Sequence, residues 1–187
     1  MCGRFLMDEP ALVSSKKIAR IPDWIQQEIH FGDIYPSMPS LVLVDHDGQL
    51  EGRLEVFGAF QEKMNKRIIN ARSETVQEKW MFRHAFHHDR CVVPCGRFYE
   101  WSPEREKVSF FLQDQTMYLA AVSLEDSFVI LTRPANASVD DVHHRMPVIF
   151  NADQAVRWVT DEQAACQLLN QPGPQLENDR PQAITLF

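Results

Sequence analysis

Five runs decide the fold: Cys91-Val92-Val93, Phe98-Tyr99-Glu100-Trp101, Val108-Ser109-Phe110-Phe111-Leu112, Met117-Tyr118-Leu119-Ala120-Ala121-Val122 and Phe128-Val129-Ile130-Leu131-Thr132. Each is short and rich in β-branched or aromatic side chains, and polar or glycine- and proline-bearing segments separate them, which is the pattern of successive strands. The spacing predicts an antiparallel meander. Upstream, Leu41-Val42-Leu43-Val44 and Leu54-Glu55-Val56-Phe57 flank Asp45-His46-Asp47-Gly48, whose Asp-Gly pair suits a tight hairpin turn.

Helical signals surround these strands. Pro22-Asp23 opens a short helix to Ile29, with Ile25 and Ile29 four apart. Ser73 is the expected N-cap of a helix reaching Phe86, with Val76, Trp80, Met81 and Ala85 on one face. Asn151 and Thr160 are expected to cap two more, the second with Gln163 in a capping box. Ala183-Ile184-Thr185-Leu186-Phe187 is taken as a final edge strand. Without an internal repeat or linker, these 187 residues, 44% hydrophobic, are expected to form one domain over residues 1–187.

Composition narrows the class. No stretch reaches the roughly 18 apolar residues of a membrane span, and Met1-Cys2-Gly3-Arg4-Phe5 lacks the layout of a signal peptide, so a soluble cytoplasmic protein is expected. Cys2, Cys91, Cys95 and Cys166 are then expected as free thiols. A net charge of -7 argues against broad nucleic-acid binding, but residues 51–150 hold 13 basic against 14 acidic groups and leave room for a local basic groove.

Four places carry chemistry. Cys2 follows the initiator methionine; removal of Met1 would expose a 1,2-aminothiol, which condenses with an aldehyde to a Schiff base and then closes a five-membered thiazolidine. Taken alone, a cysteine near a terminus is weak evidence. Asn70-Ala71-Arg72-Ser73 puts an amide and a guanidinium at a strand-to-helix junction, either an anion site or a capped turn. Glu100 lies in the apolar run Phe98–Trp101, either desolvated for acid-base work or facing solvent from an alternating strand. His143 and His144 precede Arg145, either a proton shuttle beside an anion contact or a surface loop. His84, His87 and His88 before Cys91 and Cys95 match no standard zinc spacing.

The order of Met-Cys-Gly-Arg-Phe at 1–5, Asn-Ala-Arg-Ser-Glu-Thr at 70–75, Phe-Tyr-Glu-Trp at 98–101 and His-x-Arg-Met-Pro at 143–147 resembles the SOS-response-associated peptidase (SRAP) family. The resemblance spans Cys2 to about Phe150 and continues loosely to the end. It implies an α+β domain with curved, mostly antiparallel sheets, a barrel-like core and flanking helices. It also implies a thiazolidine crosslink between Cys2 and abasic sites in single-stranded DNA, made after self-removal of Met1, with cysteine-type peptidase and abasic-site lyase activities in view. Under it, Asn70 positions the Cys2 backbone and adduct, Glu100 relays protons, and His143 assists formation and reversal of the Schiff base. Arg4, Arg72 and Arg145 hold phosphates, and Phe57 and Trp101 complete the DNA-binding set. No cofactor and no metal is implied, and a monomer is expected.

Three positions depart from the family pattern. Asp33 stands where an asparagine is usual, Phe57 where a tryptophan supports an unstacked base, and Arg97 where a glycine precedes Phe98. Two other readings stay open: a single-stranded DNA-binding module that does not crosslink, and an N-terminal-cysteine amidase acting on small molecules.

Overall fold

The strand runs form as expected, but they divide between two sheets. A computed structural model describes residues 2–180. The expected strand at 183–187 lies outside the described residues. Along the chain come β1 (Phe5–Met7), α1 (Glu9–Ser15), β2 (Ala19–Arg20), α2 (Asp23–Glu28), β3 (Gly32–Ile34), β4 (Pro39–His46) and β5 (Gln49–Phe57). A small hairpin, β6 (Ala59–Gln61) with β7 (Lys66–Ile68), leads to β8 (Asn70–Arg72) and α3 (Trp80–His88). Then follow β9 (Arg90–Cys95), β10 (Arg97–Trp101), β11 (Lys107–Phe111), β12 (Met117–Leu124) and β13 (Ser127–Pro134). The last described elements are β14 (Arg145–Pro147), β15 (Ile149–Phe150), α4 (Ala152–Thr160), α5 (Glu162–Leu169) and β16 (Glu177–Asn178).

The larger sheet runs β14-β13-β12-β9-β4-β5-β2, and a further parallel pairing of β5 with β13 turns its middle into a closed ring of β4, β5, β13, β12 and β9. This is the barrel-like core of an α+β fold. The β4–β5 hairpin supplies its long wall, and Asp47 and Gly48 take positive φ (54° and 81°), as a turn matched to strand twist requires. The smaller sheet, β16-β11-β10-β1-β3, carries the N-terminal strand in its interior. The single expected meander is therefore two: β9 pairs with β4 and β12, whereas β10 pairs with β1 and β11. Alternation in sequence shows that each run is a strand but carries nothing about which neighbour it will meet.

Aromatic packing joins the two sheets. Phe57 and Phe128 lie opposite each other in the β5–β13 pairing and stack at 5.2 Å between ring centroids, and Phe5 of the smaller sheet meets Phe57 edge-on at 5.5 Å. All three are fully buried. Phe57 was expected to support a DNA base; instead it is a core residue, because the strand that carries it closes the barrel.

Buried cations tie the helices on. Arg90, 7% exposed, donates to the carbonyls of Phe86 (2.7 Å) and Trp158 (2.7 Å), near the C-terminal ends of α3 and α4, where partial negative charge collects. Trp158 donates its indole N–H to the Cys91 carbonyl (2.9 Å) and seats α4 on the barrel.

Two helix starts differ from expectation. Residues 73–79 form turns rather than helix, because the Ser73 amide bonds the Thr132 carbonyl (2.8 Å) and keeps the segment on β13; Val76 is buried, but Trp80 is 80% exposed at the helix start. Asn151 caps α4 in a capping box with Gln154, whereas Asp161, not Thr160, caps α5. Thr160 still belongs to α4, its hydroxyl bonded to the Val156 carbonyl (2.9 Å). Among the described residues no helix is long and apolar enough to cross a membrane.

Glu55, buried on β5, accepts from the Ser123 hydroxyl (3.0 Å) through Oε1, while its Oε2 has no hydrogen-bond partner among the described residues. Burial raises its carboxyl from the ordinary 4.5 to about 7. Between these values the folded chain holds a proton that the unfolded chain has released, so stability falls as pH rises from about 4.5 to 7. We expect Glu55→Gln to gain on the parent by about 3 kcal/mol between pH 4.5 and 8 in paired urea titrations; a constant difference across pH would refute the assignment. Phe57→Ala should cost about 3 to 5 kcal/mol in the same titrations.

Candidate active site

The site forms where the start of the chain meets both sheets. The Tyr99 amide donates to the Arg4 carbonyl (3.0 Å), which continues the β1–β10 ladder toward Glu100 and carries residues 2–4 alongside it. Cys2 is fully buried. Its carbonyl accepts a hydrogen bond from Asn70 Nδ2 (3.1 Å), and Asn70 sits on β8, which the parallel pairing Ile130–Asn70 fixes against the barrel. The two residues are 68 apart in sequence, so only the assembled fold brings them together.

The electrostatics follow from burial. Burial, and behind it the negative charge of Glu100, push the Cys2 thiol well above its usual range, so the resting sulfur is a protonated thiol. Glu100 is 2% exposed, and burial raises its carboxyl too. Of the two open readings of Glu100, the desolvated acid is the one observed. His143 is half-buried, and burial lowers its basicity. His143 Nδ1 lies against the backbone of Arg145, 3.0 Å from its amide and 3.1 Å from its carbonyl, which fixes the orientation of the ring. His143 stacks on His144 at 4.5 Å.

Of the arginines expected at phosphates, only Arg72 is freely exposed. It lies two residues after Asn70 on β8, with buried Ala71 between them, so Asn70 and Arg72 share a face of the strand. Arg145 is a correction: it is 8% exposed, ion-paired through Nη1 with Glu74 Oε1, and its Nη2 donates to Glu74 Oε2 (2.8 Å) and the Thr132 carbonyl (2.5 Å). A buried guanidinium needs a counter-charge, and the hydrogen bond from Arg145 in turn holds Glu74 down at about 2. Arg145 therefore fastens the 73–79 turns to β13 and leaves phosphate to others.

Arg4 occupies an intermediate case. It is ion-paired with Asp33 and lies over the rings of Tyr35 (4.7 Å) and Tyr99 (5.0 Å). Burial would raise the Asp33 carboxyl, but hydrogen bonds from Arg4 and Tyr99 hold it below the usual range. Trp101 is 41% exposed at the end of β10, on the opposite side of the strand from Glu100. Arg97 lies over Phe111 (4.4 Å) and donates to the Ser109 hydroxyl (3.1 Å), so it is part of the wall.

Sequence reading missed Glu74, Tyr35 and Tyr99 as partners of the arginines. The signal was present for Glu74 and Tyr99, which lie inside the quoted segments, but their contacts depend on strand neighbours that spacing does not reveal. A cavity of about 880 Å³ lies elsewhere, lined by Asp8, Lys17, Arg97, Tyr118 and Asp153 among others, and contains none of the four residues expected to do chemistry. Cys91 and Cys95 are fully buried on β9, whereas His84 and His88 are exposed on α3.

The chain is 29% identical over 190 residues to the abasic site processing protein YoqW of Bacillus subtilis (strain 168), covering 85% of this chain and 80% of that protein. It is 29% identical over 146 residues to YoaM of the same organism, also named an abasic site processing protein, covering 68% of this chain and 64% of YoaM. A crystal structure of a protein from Bacteroides thetaiotaomicron superposes with a TM-score of 0.78 at 20% identity, covering 95% of this chain and 90% of that one, and so shares the fold. The pattern of one family, SOS response associated peptidase (SRAP), matches residues 1–180, and the chain belongs to that family.

Proposed function

We propose that this protein traps abasic sites in single-stranded DNA through a thiazolidine formed by Cys2 after Met1 is removed. The observation that carries the proposal is the hydrogen bond from Asn70 to the Cys2 carbonyl, 3.1 Å, which holds residue 2 in a buried site near a desolvated carboxyl. The names of YoqW and YoaM supply the substrate class. A cytoplasmic protein acting as a monomer fits this reading.

The chemistry balances without a cofactor. The Cys2 amine adds to the aldehyde carbon of the ring-opened deoxyribose, giving a carbinolamine. Glu100, whose carboxyl burial raises, gives a proton to the departing hydroxyl, so that water leaves and an iminium remains. The thiol sulfur then adds to the iminium carbon and its proton passes to the Glu100 carboxylate, which returns to its starting form. One water is lost overall. Because the thiol is protonated at rest, ring closure needs this acceptor close by, and holding amine, thiol and carboxyl together replaces a termolecular encounter.

His143 assists Schiff-base formation and reversal by exchanging a proton with the aldehyde oxygen. Glu100 serves the removal of Met1 by the same proton relay, and an iminium that failed to close would open the lyase route. Arg72 takes a phosphate from its exposed position beside Asn70. Arg4 reaches a phosphate only by exchanging Asp33 for it, which weakens its contribution relative to a chain with a neutral residue at position 33. Trp101 is exposed enough to stack on a base.

Intact-mass spectrometry tests the proposal, with the protein incubated with a single-stranded oligonucleotide bearing one abasic site. The parent should lack Met1 and gain the oligonucleotide mass less one water; Cys2→Ala should gain no such stable adduct. Asn70→Ala should form it about 100-fold more slowly, the scale expected when a reacting group shifts by around 1 Å. Retained Met1 with no adduct would sink the proposal and leave a binding module that does not crosslink. Hydrolysis of small amides without an adduct would favour the amidase.

A further inference from the structure

We propose that the β6–β7 hairpin is an arm that binds the DNA strand flanking the abasic site, with Phe60 as a stacking platform for a base and Lys63 and Lys66 as phosphate contacts. This inference rests on the proposed function and extends it to a second binding surface.

The hairpin leaves the barrel at Gly58, whose φ of +84° suits glycine and where a Cβ would come within 2.7 Å of Ile69 Cγ2. Ala59 then turns inward and is 5% exposed, while Phe60 turns outward and is 52% exposed. Arg67 is the register partner of Phe60 across the hairpin; its guanidinium lies 6.0 Å from the Phe60 ring centroid, and it donates to the Gly58 carbonyl. Met64, 54% exposed, sits at the tip, where Asn65 takes a left-handed conformation to complete the turn. Exposed apolar surface is thus interleaved with cations.

Charge selects the occupant. The chain as a whole carries a net charge of -7, yet from Ala59 to Arg72 the charged residues are Lys63, Lys66, Arg67 and Arg72 against the single acid Glu62. A cationic segment in an acidic chain, with a bare aromatic ring among its charges, matches a strand that alternates phosphate with a stackable base. Position supports this. Ile69 leads directly from the hairpin into Asn70, which holds the Cys2 carbonyl. Arg67 lies three residues before Asn70, at most ~10 Å along an extended chain. That span is about three nucleotides at the ~3.4 Å spacing of a stacked strand. Phe57, the position at which a stacking aromatic was expected, is fully buried, and Phe60 is the exposed ring that follows it in the chain.

The test measures equilibrium binding of an undamaged single-stranded oligonucleotide by fluorescence anisotropy over a series of salt concentrations. Parent, Phe60→Ala, Phe60→Trp and the double variant Lys63→Gln/Lys66→Gln are compared, with thermal melting as a check on folding. Phe60→Ala should bind about 10-fold more weakly and Phe60→Trp at least as tightly as the parent, the pattern of a lost and a restored stacking surface. The double variant should reduce the slope of log affinity against log salt by about 1.4, or ~0.7 for each phosphate contact on a single strand. Thiazolidine formation with 2-deoxyribose 5-phosphate, which is too small to span the arm and Cys2, reports the chemistry separately. If the parent binds the oligonucleotide and all variants match it in affinity and slope, the arm is overturned while the Cys2 chemistry stands. A parent that forms no adduct with 2-deoxyribose 5-phosphate or with the abasic oligonucleotide overturns the reading on which the arm rests.

Discussion

The parallel pairing of Val56–Phe57 with Ser127–Phe128 closes the barrel, and the position of the reactive residue depends on it. Closure stacks Phe57 on Phe128, and the pair together form the surface against which Phe5 packs. Phe5 is three residues from Cys2. Fixing that ring in a close-packed interior therefore limits where the start of the chain can lie, to within the reach of three residues, before any polar contact is made. The Arg4–Tyr99 and Asn70–Cys2 hydrogen bonds then set residue 2 within that range. A flexible N-terminus could hold an aminothiol but could not present it to a particular carboxyl.

The arginines show how burial divides labour among identical side chains. Arg90 is held by helix-end carbonyls and Arg145 by Glu74 and Thr132; each is fixed because a guanidinium with little access to water must find acceptors within the protein, while half-buried Arg97 rests on Phe111 and Ser109. Arg72, exposed beside Asn70, has water to satisfy it and keeps its charge available. Arg4 stands between these cases, since Asp33 satisfies it at a partly exposed position. The departure from asparagine to aspartate at position 33 thus acts on the charge of Arg4 as well as adding a charge of its own. The same burial acts on Glu100, raising its carboxyl above the ordinary value.

Much of the fold was legible. The runs at 91–93, 98–101, 108–112, 117–122 and 128–132 all become strands because β-branched and aromatic residues fit a pleated, buried surface, and the Asp47-Gly48 turn follows from its residues' tolerance of positive φ. The site was legible in part. Cys2, Asn70, Glu100 and His143 were picked out by residue type and motif, and the structure brings Asn70 onto Cys2 and buries Glu100 near the thiol. Phe57 and Arg145 were misread for one reason: an aromatic ring or a guanidinium is chemically competent for DNA wherever it lies, and exposure decides whether it is available. Residues 73–79 were misread because helical spacing around Val76 and Met81 competes with strand-like anchoring of Ser73 by Thr132, a contact 59 positions away.

By itself, then, the sequence determined that the five runs from Cys91 to Thr132 would be strands, that a cysteine stands at position 2, and that an amide, an acid and an imidazole follow it in the order of the SRAP family. Local steric preference and side-chain chemistry suffice for that much. Only the tertiary structure decided that β9 and β10 part into different sheets, that Phe57 closes the barrel rather than facing DNA, that Glu74 claims Arg145, and that Asp33 claims Arg4. Those outcomes depend on strand neighbours and solvent exposure, which arise from contacts between residues far apart in the chain and leave no trace in local spacing.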